Sequence, residues 1–68
     1  MKYKVVVGDF AFSRNGKSNY MCTINGENGY VQFGRRNNRV VGLSILRGNT
    51  IESIESIDVD QNEIEIEQ

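Results

Sequence analysis

Short runs of Val, Ile, Tyr and Phe alternate with polar residues along the chain, and glycines, most with an asparagine close by, separate the runs. Alternation of this kind predicts half-buried strands, and the Gly and Asn positions predict tight turns between them. Strands are predicted at 2–7, 9–13, 19–25, 29–33, 39–46 and 50–58. The pattern therefore predicts an all-β fold, a small and strongly bent five-stranded antiparallel barrel.

Two of the predicted strands differ in how clearly their side chains alternate. In the strand predicted at 39–46, Val41, Leu43 and Ile45 alternate onto one face, which should pack on the core. The segment 50–58 is less clear, because its isoleucines recur every three residues and its start has the pattern of a helix capping box. We predict a strand there, since β-branched residues dominate and the neighbouring segments are strands.

Residues 1–59 are predicted to form the barrel, and residues 60–68 form either an acidic strand at 63–67 or an acidic tail. A hairpin turning at 61–62 would bring the apolar residues on its two sides opposite one another. Its other face would oppose acids to acids, which is destabilising unless cations lie there. Either that face meets the basic loop 35–39 or the segment pairs elsewhere, and the sequence leaves both open.

The charges divide along the chain. Residues 1–48 carry all eight basic residues and two acids, whereas residues 49–68 carry seven acids and no base. This polarity suggests either a basic surface for a polyanion beside an acidic tail, or a tail that folds back and neutralises the body.

Composition sets further bounds. A chain of 68 residues forms one domain, and its single cysteine argues against a disulfide-stapled scaffold and suits a reducing cytosol. The chain starts without an apolar core of signal-peptide length, and no run approaches the length of a membrane span. We therefore expect a cytoplasmic protein without a membrane partner.

Catalysis has little support in the sequence. The chain has no histidine and one cysteine, so the common Ser-His, Cys-His and zinc arrangements cannot be built. The segment 58–63 begins like a calcium loop, but Glu63 stands where glycine is required and the twelfth position lies beyond Gln68. We expect no enzyme, no cofactor and no metal site.

The apolar run at 40–54 is interrupted by Arg47, Gly48 and Asn49, which predict a tight turn with the arginine at the end of a strand. The stretch RVVGLSILRGNTIESI, residues 39–54, resembles the second Sm motif of the Sm/LSm family of RNA-binding proteins. In that family two apolar strands flank an Arg-Gly pair followed by a small polar residue. The resemblance implies an Sm-like, SH3-like barrel.

The first Sm motif is expected upstream, and SNYMC, residues 18–22, lies at the family spacing. Tyr20 and Met21 match the aromatic and Met positions. Ser18 stands where the family has Asp, and Cys22 stands where it has the Asn that contacts a base edge. Because a thiol is a poor hydrogen-bonding substitute for an amide, base selectivity should be weak.

The resemblance implies a homo-oligomeric ring of five to seven copies that binds single-stranded RNA, with DNA as an alternative, in an RNA-processing or chaperone role. A base would stack between Tyr20 and Arg47. The loop at 34–39 would contact phosphates outside the pore, and Arg14 and Lys17 could extend that contact. The predicted nucleic-acid-binding residues are Tyr20, Met21, Cys22, Arg47, Gly48 and Asn49, with Arg35, Arg36 and Arg39 outside the pore.

The residues alone allow simpler interpretations. Arg47 in an ordinary turn would be solvated, Tyr20 in a strand would be a half-buried sheet aromatic, and the 34–39 loop would be a solvated hairpin loop. A competing function is a small protein-interaction module or inhibitor, of the kind phages encode, that uses its acidic tail and binds no nucleic acid. A structural subunit without any ligand is a third alternative.

Overall fold

The computed structural model describes residues 1–48 and 53–68 and has the predicted all-β fold. The strands are β1 (Lys2–Arg14), β2 (Lys17–Ile24), β3 (Glu27–Gly34), β4 (Val40–Leu46), β5 (Ile54–Ile57) and β6 (Glu63–Glu67). They form one six-stranded sheet in the order β5-β4-β3-β2-β1-β6, curled into a half-barrel. No helix among the described residues is long and apolar enough to cross a membrane.

The first three strands are joined by two Asn-Gly turns. Arg14 lies opposite Lys17 across the first turn, and Ile24 lies opposite Glu27 across the second. All four turn residues have positive φ, between 49° and 84°. Asn and Gly tolerate this conformation, and such two-residue turns match the twist of an antiparallel pair. The turns predicted from the sequence are therefore confirmed.

The first strand differs from the prediction of two strands at 2–7 and 9–13. β1 runs unbroken from Lys2 to Arg14, with register irregularities between Val7 and Phe10 and between Phe10 and Phe12. Bulges of this kind bend a strand and increase its twist without ending it. Gly8, which suggested a break, sits inside the first of them.

The core lies on one face of the curled sheet. Its buried side chains are Val5, Cys22, Ile24, Val31, Phe33, Leu43 and Ile45. Val41, predicted to face inward with Leu43 and Ile45, is 41% exposed. A register shift between β3 and β4 puts Val40 opposite Phe33 and moves Val41 off the core face.

The strand predicted for 50–58 is confirmed over Ile54–Ile57, where β5 pairs antiparallel with β4. The helical alternative is wrong for these residues. The first part of the segment, with Asn49, falls within 49–52 and lies outside the described residues. The backbone N–H of Arg47 donates to the carbonyl oxygen of Ser53, 2.8 Å away, across the connection between β4 and β5.

The C-terminal segment forms a strand, but it does not pair with β5. β6 pairs parallel with the first half of β1, where Glu63 lies opposite Lys2 and Glu65 opposite Lys4. The Nζ atoms of Lys2 and Lys4 lie 3.4 Å from carboxylate oxygens of Glu65 and Glu67. The acidic face therefore meets the basic residues of β1 and not the loop 35–39.

Gly29 is buried between β2 and β4. A Cβ atom there would lie against the carbonyl oxygen of Ser44 and 2.8 Å from Cδ1 of Ile24. We predict that Gly29→Ala destabilises the fold by about 1–3 kcal/mol, because neither the backbone nor the core can yield freely. Urea denaturation measures the change. The exposed neighbour provides the control: Asn28→Ala should stay within about 0.5 kcal/mol of the wild type, and equal effects would contradict the prediction.

Candidate nucleic-acid interface

The eight basic side chains form two groups. Lys2, Lys4 and Arg47 make ion pairs with carboxylates. The other five form no ion pair with any residue in 1–48 or 53–68, and they all lie at or beside the β1–β2 and β3–β4 connections. These five are Arg14, Lys17, Arg35, Arg36 and Arg39. One end of the sheet is thus strongly cationic although the net charge of the chain is −1.

The antiparallel register brings the two connections together. Lys17 lies opposite Arg14 on one side and opposite Gly34 on the other. The backbone N–H of Arg35 donates to the carbonyl oxygen of Gly16, 3.2 Å away, and ties the β3–β4 connection to the β1–β2 turn. The cations of the first connection lie 18 residues or more from those of the second along the chain, but β2 and β3 make the two groups neighbours.

The β3–β4 connection is itself closed by hydrogen bonds. The N–H of Gly34 donates to the carbonyl oxygen of Arg39, and the N–H of Asn38 donates to the carbonyl oxygen of Gly34, both at 2.9 Å. Asn38 has positive φ, at 55°, which asparagine accepts more readily than most residues. The side chain of Asn37 accepts the N–H of Arg39 at 3.1 Å. The arginines therefore project from an ordered loop.

A cleft of about 580 Å³ opens between the two connections. We call it the cationic cleft; it is lined by Asn15, Gly16, Lys17, Gly34, Arg35, Arg36, Asn37 and Val41. Nη2 of Arg35 donates to Oγ of Ser13 at 2.7 Å, which orients its guanidinium while leaving its other donors available. A cleft with three cations and no carboxylate in its lining favours an anionic ligand.

Arg47, the central residue of the predicted pore site, is differently placed. Its Nη1 lies 2.6 Å from Oε1 of Glu27, and its Nη2 and Nε lie 2.6 and 3.1 Å from Oε2 of Glu55. These contacts raise the pKa of Arg47, chiefly through the hydrogen bond to Glu55. Glu27 lies opposite Ile24 and Glu55 opposite Ile45, so this cluster edges the core face of the sheet.

Tyr20 is half-buried and lies in an aromatic cluster. Its ring makes edge-to-face contacts with Phe10, at a centroid distance of 5.4 Å, and with Phe33, at 5.7 Å. The next two residues along β2 differ in burial: Met21 is 53% exposed, whereas Cys22 is buried in the core. The three candidate residues of the SNYMC stretch therefore do not share one surface.

The structure also separates Tyr20 from Arg47 within the chain. Tyr20 lies opposite Val31 on β3, whereas Arg47 contacts Glu27, four positions earlier on the same strand. At about 3.3 Å per residue this is roughly 13 Å along the sheet. Gly48 follows Arg47 at the same end, and Asn49 lies outside the described residues. The structure therefore does not bring Tyr20 and Arg47 of one chain together.

Lys17 lines the cationic cleft, whereas the sequence predicts it only as an extension of the loop at 34–39. The sequence does contain a signal for a cationic site at the β1–β2 turn, because Asn15 and Gly16 have a cation on each side. Phe10 and Phe12 are 54% and 48% exposed, which the alternation of β1 did not indicate.

No family model, curated protein or solved structure matches this chain. The resemblance of residues 39–54 and 18–22 to the Sm motifs therefore stays a prediction. Among the described residues, no cluster of three or more His, Cys, Asp or Glu side chains could hold a metal ion.

The reactivity of Cys22 tests whether its thiol is buried in the core. Burial raises the pKa of its thiol from the ordinary 9.0 to about 11. The thiolate fraction near neutral pH is then about a hundredfold lower than for a free cysteine. We predict that a chromogenic thiol reagent modifies the native protein at about pH 8 at least a hundredfold more slowly than the urea-unfolded chain. Equal rates would contradict the burial of Cys22.

The same shift has a consequence for stability. The pKa of Cys22 is higher in the folded chain than in the unfolded chain. The contribution of Cys22 to the free energy of unfolding is therefore complete below about pH 9 and is lost as the pH rises towards 11. Replacing Cys22 by Ala should remove this part of the alkaline destabilisation, which serves as the control.

Proposed function

We propose that this protein binds single-stranded nucleic acid, RNA in the first place and DNA as the alternative, by holding phosphate groups at the cationic cleft. The observation that carries the proposal is the separation of charge. Three cations are neutralised by carboxylates, and the five others gather at one end of the sheet without an ion pair among the described residues. Like charges held together in this way favour a polyanion.

The side chains at the cleft suit phosphate. Arg35 and Arg36 offer planar guanidinium groups that can bind two phosphate oxygens at once. Lys17, at the start of β2, adds a compact charge to the lining of the cleft. Neutralising successive phosphates releases counterions, which drives binding and makes it sensitive to salt. Phosphate contacts position a strand without reading its sequence, so binding should be largely independent of base sequence.

A single strand suits this end of the molecule better than a duplex. The cations cluster over two adjacent connections at one end of a molecule whose longest dimension is 31 Å. A flexible strand can fold its phosphates around such a small projection, whereas the phosphates of a duplex are fixed on a rigid helix. The exposed ring of Phe12 lies on β1, opposite Asn19 of β2, close to where β1 reaches the cleft.

This proposal differs from the pore geometry that the Sm resemblance implies. The guanidinium of Arg47 already donates to two carboxylates, so a phosphate there would compete with Glu27 and Glu55 for its charge. Lys17, Arg35 and Arg36 have no such competitor among the described carboxylates. The ring of five to seven copies and a role in RNA processing stay predictions; β5 and β6 are the edge strands such a ring could pair.

The competing function, a protein-interaction module with a free acidic tail, has less support. Glu65 and Glu67 face Lys2 and Lys4 across the sheet, and Ile64 and Ile66 pack against the core. A segment held in this way acts as a structural strand.

We predict that replacing Arg35 and Arg36 together by Gln weakens binding to a short oligouridylate about tenfold or more at low salt. The reason is the loss of two charge-assisted phosphate contacts. Fluorescence anisotropy over a salt series measures both the affinity and its salt dependence. The slope of log affinity against log salt should fall by about 1.4, since each contact to a single strand contributes about 0.7.

The matched control replaces Lys2 and Lys4 by Gln, which removes the same charge at the other end of the sheet. Exposed ion pairs contribute little to stability, so this variant should fold and should bind within about twofold of the wild type. Arg47→Gln should do the same. An equal loss of affinity in both double variants would mean that net charge alone causes the loss. A loss of affinity confined to Arg47→Gln would favour the pore site.

A further inference from the structure

One buried amide on the outer face of the sheet has no hydrogen-bond partner. Asn19 of β2 is 2% exposed, and its Nδ2 has no partner among the described residues. Asn19 lies opposite Phe12 of β1 and Gln32 of β3. The next residue of β3, Phe33, is buried in the core, so the row of three side chains faces outwards. We call Phe12, Asn19 and Gln32 the amide patch.

The two side chains that flank Asn19 leave its amide unsatisfied. Gln32 leans towards β4, because a Cβ atom on Gly42 would lie against its Oε1 and 3.1 Å from its Cδ. Phe12, on the other flank, is 48% exposed and offers no oxygen or nitrogen acceptor. An unpaired buried donor is costly, which points to a partner that the chain does not supply. Because both flanking side chains lie at the surface and can turn, a ligand on the outer face can reach the amide.

The amide patch adjoins the cationic cleft. Lys17 precedes Asn19 by two residues and Gly34 follows Gln32 by two, so all four lie on the same face of the sheet. Lys17 and Gly34 line the cleft, and two residues of a strand span roughly 6.6 Å. One sugar separates the phosphate of a nucleotide from its base. A phosphate held in the cleft therefore brings its base within reach of the amide patch.

We propose that one unpaired base of the bound strand occupies the amide patch, stacked on the ring of Phe12 and hydrogen-bonded by the amide of Asn19. This inference rests on the proposed function, because a phosphate in the cleft positions the base. A carboxamide offers a donor beside an acceptor, which suits the Watson–Crick edge of every base. Stacking on an aromatic ring is similarly tolerant of sequence. A purine should bind more tightly than a pyrimidine, because its stacked surface is larger.

The test uses three short single strands with identical sugar-phosphate backbones. One strand is abasic throughout, one carries a single adenine and one carries a single uracil. We expect the adenine to raise the affinity of the wild type about tenfold over the abasic strand at low salt, measured by fluorescence anisotropy. The uracil should give a smaller gain. Because the phosphates are the same, any gain comes from the base.

Phe12→Ala should lose the gain from adenine and bind the abasic strand as the wild type does. Phe12→Tyr, which keeps an aromatic ring, should retain the gain. Phe10→Ala is the matched control, because Phe10 lies on the same strand and is 54% exposed but packs against Tyr20. This control should also retain the gain. Equal losses in Phe10→Ala and Phe12→Ala would overturn the proposal.

Asn19→Leu removes the unpaired amide while nearly keeping its shape. The urea midpoint should not fall, because the free protein then has no unsatisfied donor there, whereas the gain from adenine should drop about threefold or more. The side-chain amide signal of Asn19 in nuclear magnetic resonance, identified by its absence in Asn19→Leu, should shift with the adenine strand and not with the abasic strand. A lower midpoint together with an unmoved signal would mean that an internal water satisfies Asn19, and would overturn the proposal.

The abasic strand separates this inference from the proposed function. If no strand binds, both fail. If all three strands bind equally and the Arg35 and Arg36 double variant weakens them equally, the base site is wrong while the phosphate site stands.

Discussion

The fold depends on the short connection between β5 and β6, which are the two opposite edges of the sheet. Only residues 58–62 join them, and the reach of the six steps from Ile57 to Glu63 is at most about 21 Å. In a flat sheet the two edges would lie about 24 Å apart before any offset along the strands is counted. Hydrogen bonds from Asp60 and Asn62 back to Asp58 shorten the reach further. The sheet must therefore curl, and its concave face becomes the core.

This closure also distributes the charges. By bringing β6 onto the first half of β1, it sets Glu65 and Glu67 against Lys2 and Lys4. Glu27 and Glu55 meet Arg47 on neighbouring strands. The cations beside the β1–β2 and β3–β4 connections are left without carboxylate partners among the described residues. The same strand covers β1 only as far as Val6, which leaves the second half of that edge open.

What the sequence predicts well is local. The Asn-Gly turns follow from the tolerance of two adjacent residues for positive φ, and the core positions Leu43 and Ile45 follow from alternation within one strand. The features that the sequence does not predict depend on which strands pair and in what register. The partner of β6 lies some 60 residues away, and nothing in EIEIE favours a parallel neighbour. Of the two interpretations of the charge asymmetry, the tail does neutralise the start of β1. The basic surface for a polyanion stays a prediction.

Whether the cationic cleft holds nucleic acid is tested most directly by amide chemical shifts during titration with a short oligouridylate, because each amide reports its own position. We predict that the largest changes fall on Gly16, Lys17, Arg35 and Arg36, at salt concentrations where binding is measurable. Changes centred on Tyr20 and Arg47, or no changes at the cleft at any salt concentration, would contradict it.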